Sequence, residues 1–253
     1  MVKNNWSRDE TIVAFNVYSK IPFKNSSKTH PTVIKYANII GRSPSALNMK
    51  IGNLGRLDPE LKKRGISGLV NGSKLEEIVW NEFHGNWDDL AFESEKIIAE
   101  FQGKNIENEF HLGYFPEGKD KLRLVKTRVN QSFFRSSVLS AYNLTCCITG
   151  IKIPELLIAS HIIPWKEDKE RTNPQNGLCL NNLHDKAFDK GLLSINSDYT
   201  ITISRYLLDY EKKKADLYFS HFNNKKISLP DKFFPKREFL EHHYSNYIKN
   251  EYN

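Results

Sequence analysis

Apolar and polar positions alternate at helical spacing through the first quarter of the chain and switch to short β-like runs only in its second half. Ser7 with Glu10 three residues later forms a capping-box signature, predicting a helix from there to about Ser19. A second helix is predicted in "TVIKYANII", stopped by Gly41. In the third segment, "RSPSALNMKIGNLGRL", Ser43 suits the cap and Pro44 the first helical position, where a missing N–H costs nothing. Helix, glycine turn and capped helix outline a helix-turn-helix. Leu47, Ile51 and Leu54 make one apolar stripe on the third helix and leave Ser45, Asn48, Met49, Asn53 and Arg56 outward or sideways.

The stretch from Leu75 to Phe101 reads as two short helices interrupted by Gly85. Trp80, Phe83, Trp87, Leu90 and Phe92 are assigned to core packing, because a base-stacking platform among so many carboxylates would repel a phosphate chain. Residues 103–120 have little periodicity and read as a linker. A basic helix follows, with Phe133, Phe134, Val138 and Leu139 on its apolar side, then a turn at "ITG". After it come a strand in "LLIASHIIPW", a polar loop, a short strand in "GLCL", a helix in "NNLHDKAFDKG" and a third strand. The expected fold class is α+β: a mainly helical, helix-turn-helix-like domain at residues 1–102, a linker at 103–120 and a domain built on a ββα unit at 121–253.

Charge changes this picture more than composition does. The chain carries a net +7, but residues 1–65 hold twelve basic against four acidic residues and residues 66–118 hold three against eleven. Residues 119–196 return to twelve against seven. Basic surface is the electrostatic footprint of a polyanion, since phosphate contacts release condensed counterions. Small polar and amide side chains beside a basic rim suit a recognition helix in a major groove, so Arg42, Ser45, Asn48, Lys50, Asn53 and Arg56 are the expected DNA-contacting set. No apolar run approaches a bilayer's thickness and no apolar signal core is seen, which predicts a cytoplasmic protein without membrane contact. Cys146, Cys147 and Cys179 fit neither a disulfide framework nor a paired zinc motif and are expected to be buried thiols.

The ββα unit carries the chemistry. It presents His161 on its first strand, Asn176 in the loop and His184 on the helix. Hydrolysing a phosphodiester needs a base for water, a Lewis acid for the phosphate and a fixed orientation for the base. Histidine titrates near neutrality and can take the proton; an amide can hold the other ring nitrogen or brace the loop; a second, neutral histidine can ligate a divalent metal.

The run "CCITGIKIPELLIASHIIPWKEDKERTNPQNGLCLNNLHDKAFDKGLLSI" resembles the HNH, or ββα-metal, nucleases, in the subgroup found in bacterial restriction endonucleases. His-Ile-x-Pro, Asn-Pro-x-Asn-Gly and Leu-His-x-x-x-Phe-Asp-x-Gly occur in order, and the resemblance extends over about residues 121–250, with "REFLEHH" similar to the subgroup's terminal helix. The resemblance implies an HNH-type deoxyribonuclease with His161 as general base, Asn176 as its orienting partner and His184 as a metal ligand, using Mg²⁺ or a similar divalent ion such as Mn²⁺. Where many members have a metal-binding Asp or His before the base, this chain has Ser160, a poor ligand. Either Ser160 binds weakly or through water, or a nearby acid, Asp189 or Asp185, completes the site; Asp189 is taken as a ligand with His184 although five positions share a helix face imperfectly. Double-stranded DNA is the expected substrate, and cutting both strands predicts a homodimer. A DNA-binding regulator with a decayed nuclease unit and a nonspecific or RNA-directed toxin nuclease are the alternatives. His111, His221, His242 and His243 receive no chemical role; one of the last two is expected to brace the nuclease unit.

Overall fold

The computed structural model describes residues 5–66, 72–106, 119–164, 171–210 and 212–248. It is mostly helical with two small sheets, and the chain divides into two compact units, Met1–Ala141 and Tyr142–Asn253. Among the described residues no helix is long and apolar enough to cross a membrane.

The first unit is built around α1 (Arg8–Lys20), whose residues from Glu10 to Ser19 are all buried. A helix that is covered on every side must sit at the centre of its bundle. Ser7 and Glu10 close the expected capping box at its start, Ser7 Oγ accepting from the Glu10 amide and Glu10 accepting from the Ser7 amide. Around it pack α2 (Pro31–Ile39), α3 (Pro44–Gly55), α5 (Lys74–Phe83), α6 (Trp87–Phe101) and α7 (Lys119–Ala141), while the short α4 (Pro59–Lys63) is capped by Asp58. Gly41 turns the chain between α2 and α3 at φ +66°, and Ser43 and Pro44 start α3 as their residue types predict. The aromatic residues are core: Phe15 stacks on Trp80 at 4.7 Å, and Trp80, Phe83, Trp87 and Leu90 are buried. Phe92 is half-buried beneath the Lys126 ammonium.

The sequence reading starts the second domain at residue 121, whereas the compact units divide twenty residues later, after Ala141. The physical reason is the apolar side of α7: Val125, Val129, Phe133 and Phe134 are buried, and the helix packs on α1 and α6. Asn130 on α7 also donates to Asp88 at 3.0 Å. Most of the segment read as a linker, residues 107–118, lies outside the described residues.

In the second unit β1 (Leu157–His161) pairs antiparallel with β2 (Gly177–Asn181), Leu157 opposite Asn181 and His161 opposite Gly177. The helix α8 (Asn182–Asp189) follows β2 without a loop and packs on both strands, completing the expected ββα order. A second hairpin pairs β3 (Leu193–Ile195) with β4 (Ile201–Ile203), after which come α9 (Arg205–Tyr210), α10 (Lys212–Tyr218) and the terminal α11 (Arg237–Tyr247). The three cysteines are free and buried, with the Cys147 amide donating to the Cys179 carbonyl on β2. Gly191 leaves α8 at φ +65°, and a Cβ there would overlap the Tyr247 carbonyl oxygen. Of the adjacent terminal histidines, His243 is buried, stacks on Phe188 at 3.7 Å and shares a 2.8 Å hydrogen bond with Ser194, so it braces α11 against the unit.

Candidate active site

His161 is the last residue of β1 and is half-buried. Its Nε2 lies 2.9 Å from the Arg171 carbonyl oxygen. A carbonyl only accepts, so Nε2 carries the proton and, in the neutral ring, Nδ1 carries the lone pair. The ring is thereby oriented by backbone rather than by an amide side chain.

Asn176 closes a 3₁₀ turn, Pro174–Asn176, whose cap Asn173 accepts from the Gln175 amide at 3.0 Å. Fully buried, its side chain grips the peptide of Ile163 from both sides: Oδ1 accepts from Ile163 N at 2.9 Å and Nδ2 donates to Ile163 O at 3.2 Å. The Asn176 carbonyl accepts from Ile162 N at 2.9 Å. Of the two functions open to this amide, bracing the loop is the one these hydrogen bonds perform; the Asn176 side chain holds Ile163 and its carbonyl holds Ile162, the two residues after His161.

The helix α8 divides its polar side chains between two directions. Its cap, Asn181, lies at the hairpin end where β2 faces Leu157, four strand steps or about 13 Å from the end that carries His161. Asn181 Oδ1 accepts from both the His184 amide and His184 Nδ1 at 3.0 Å, while its Nδ2 donates to Thr149 Oγ1 at 3.1 Å. His184 is thus fixed with its lone pair on Nε2, an atom that is buried without a well-formed hydrogen bond among the described residues. Phe219 and Phe222 stand 5.2 and 5.4 Å away. Burial, and then the charge of His221, push its pKa down to about 4 against the smaller opposing pull of the Tyr218 backbone, so the ring is neutral at pH 7. It opens onto a pocket of about 410 Å³, and His161 and Asn176 are not among the described residues that line it.

Asp185 lies about 100° around the helix from His184, and Asp189 one turn further along the same face. Burial pushes both carboxyls upward, and the charge of Asp189 raises Asp185 further. The Ser160 hydroxyl counters this at Asp185; it is buried without a well-formed hydrogen bond yet close enough to favour the ionised carboxylate. Lys186 and Lys190 lower Asp189, but among the described residues no cation forms an ion pair with either acid. Three His, Cys, Asp or Glu side chains do not converge anywhere among the described residues. Two carboxylates and a hydroxyl are nonetheless the donors a hard divalent ion takes, and Mg²⁺ commonly binds through one or two carboxylates while keeping several waters. The residues fit such an ion on this face better than on the face of His184, whose lone nitrogen sits among aromatic rings.

The six residues expected to contact DNA are only partly displayed. Arg42 donates to both Glu10 oxygens, at 3.0 and 2.7 Å, and lies over the Trp6 ring at 4.8 Å. Lys50 is 5% exposed and paired with Glu76, itself fully buried. Asn53 donates to the same Glu76 at 3.1 Å, and Arg56 reaches Glu77 at 3.2 Å. Asn48 Oδ1 accepts from Ser26 Oγ, which leaves Ser45 and its neighbour Met49 as the exposed positions on α3. The acidic first turn of α5 folds onto the basic helix, so the charge reversal along the sequence becomes neutralisation in space. The i, i+4 spacing of Asp185 and Asp189 was the sequence signal for the acidic face of α8; the partners of Lys50 and Arg42, 26 and 32 residues away, left none.

Residues 146–196 match the family model of the HNH endonucleases. The matched span holds both strands of the first hairpin, α8 and β3, with His161, Asn176, His184 and the two aspartates. No curated protein matches the chain.

Proposed function

We propose that the protein is a metal-dependent endonuclease of restriction type acting on duplex DNA, with His161 as the general base. The observation that carries the reading is the fixed His161 ring, one residue beyond the Ser160 hydroxyl that approaches the acidic face of α8. Nδ1 of His161 accepts a proton from water as that water attacks phosphorus in line with the leaving 3′ oxygen. Asn176 keeps the base in place by holding Ile163, and the Arg171 carbonyl stabilises the imidazolium that forms. Asp189, expected as a ligand from the sequence, and Asp185, taking the place expected of His184, would hold a divalent ion, Mg²⁺ or Mn²⁺. Such an ion supplies charge neutralisation at the phosphate and the leaving oxygen. Ser160 contributes through water or by orienting Asp185.

Sequence selection in this reading belongs to the first unit. Ser45 and Met49 are the part of α3 available for base edges, whereas Arg42, Asn48, Lys50, Asn53 and Arg56 serve chiefly to fix that helix. Cutting both strands calls for two copies, which sedimentation with and without DNA tests directly.

Purified protein with plasmid and Mg²⁺ separates the readings: discrete fragments support site-specific restriction, absence of cleavage supports a regulator with an inactive nuclease unit, and smearing or loss of RNA supports a toxin-type enzyme. His161→Ala should abolish cutting with DNA affinity nearly unchanged. Asp185→Asn and Asp189→Asn should each lose cleavage through metal affinity, rescued in part by raised Mn²⁺, while His184→Gln keeps its metal dependence. Metal dependence lost in His184→Gln and kept in both aspartate variants would reverse the ligand assignment.

A further inference from the structure

The pocket at His184 lies outside the chemistry just described. Its floor holds His184 Nε2, a buried lone pair without a well-formed hydrogen bond among the described residues, near the Tyr218 backbone and in a tautomer fixed by Asn181. Its walls are apolar and aromatic: Leu156, Leu217, Tyr218, His221 and Phe222 among others. Leu156, Leu217 and Tyr218 are 40, 64 and 50% exposed, unusually open for side chains of this size. A volume of about 410 Å³ is within the range of small-molecule sites. One turn before Leu217 and Tyr218 on α10 stand the exposed Lys213 and Lys214, which share their helix face; the exposed Asp216 lies about 100° from Leu217 and three residues after Lys213.

Each feature selects the same ligand chemistry. Aromatic walls select a planar ring; a single buried acceptor selects an edge with an N–H donor, because leaving it unsatisfied is costly; the exposed Lys213 and Lys214, one turn before two of the lining residues, favour an anion. We propose that this pocket is a nucleotide subsite, receiving an unpaired base that donates an amino N–H to His184 Nε2, with its phosphate against Lys213 and Lys214. The inference deepens the nuclease reading and rests on it for the source of the ligand: a base turned out of the bound strand stacks on Tyr218 and Phe222 as bases stack on aromatic platforms elsewhere. The pocket then adds base selectivity on the nuclease unit itself, a function the sequence reading assigned to the first unit alone.

The test uses the full-length Asp189→Asn variant without divalent metal, so that its outcome is independent of cleavage. Histidine ¹⁵N resonances are followed while AMP, N6,N6-dimethyl-AMP or a duplex with one bulged adenine is added. AMP should shift the His184 Nε2 resonance, and the dimethyl analogue, which lacks the donor, should bind about tenfold or more weakly. Tyr218→Ala and Leu217→Ser, both at exposed positions, should weaken AMP without altering the folded spectrum. A bulged duplex acting at lower concentration than AMP identifies the strand as the source; AMP acting alone identifies a free nucleotide, and both results support the subsite. The proposal is overturned if neither AMP nor the bulged duplex moves His184, or if AMP and its dimethyl analogue bind equally. Loss of cleavage in the catalytic variants with an intact AMP response would leave this site standing, and an active nuclease with no AMP response would remove it alone.

Discussion

Two charged helices of this protein treat their ionisable side chains in opposite ways. On α3 and at its ends the charges are closed off: Lys50 and Arg56 meet Glu76 and Glu77 on α5, with the Asn53 amide on the same Glu76, and Arg42 meets Glu10 on α1. On α8 two carboxylates stand one turn apart, partly desolvated and repelling each other, with no paired cation among the described residues. Saturated charge fixes a fold; unsaturated charge is free to act on a ligand. The contrast teaches that a basic stretch of sequence is not by itself a nucleic-acid surface, and that acidic residues one turn apart can stay unpaired where basic ones are closed off.

Breaking the closed network should have the largest effect on stability. Glu76→Gln leaves Lys50 buried beside a neutral amide and should cost about 3–5 kcal/mol, read as a lower urea midpoint of the first unit. The open pair should behave in the opposite sense. Asp185→Asn should leave thermal stability unchanged or slightly raised without metal, yet abolish the stabilisation Mg²⁺ gives the unmodified protein, about 2.7 kcal/mol at a hundredfold excess over Kd. A loss in Glu76→Gln no larger than in Asp185→Asn would dissolve the distinction between the two helices.

Acid should sharpen it further. His184 and His243 are each pushed by burial to about 4, from an ordinary value near 6.5. The folded state therefore binds fewer protons than the unfolded chain between those values. Their stabilisation is complete above about pH 6.5 and is lost as pH falls towards 4, by up to about 1.4 kcal/mol per unit for each ring. Melting curves from pH 7 to 5 should show the second unit weakening first, and His243→Phe should flatten that slope. Smallest of all should be the exposed Arg8–Glu82 pair, both side chains over 40% exposed: Glu82→Gln should change stability by about 0.5 kcal/mol or less.

Much of this architecture was legible because its causes are local. Ser7 with Glu10, Ser43 with Pro44, and Gly41 and Gly85 between helices act within a few residues, and each does in the structure what its side chain predicts. The ββα order was legible for the same reason. What escaped was direction and long-range pairing. His184 lies one residue before Asp185, and that single step, about 100° of helix, separates an aromatic pocket from the acidic face. The hydrogen bond from Asn181 that turns the ring is short in sequence, but an Asn cap gives no sign of which neighbour it will also hold. Asn176 offers two functions from its residue type, holding a ring or bracing the loop, and only its hydrogen bonds to Ile163 select the second. The first unit's boundary escaped because the apolar side of α7 has no label for the core it joins.

The overlap that a Cβ at position 191 would make with the Tyr247 carbonyl ties two distant stretches of chain into one unit of inheritance. A combinatorial library randomised at 191 should return glycine whenever the last turn of α11 is kept, and admit larger residues only alongside compensating changes or shortening there. Fusions appended just after Tyr247 therefore bear on the exit from α8, and a linker that leaves that turn unstrained becomes a design requirement.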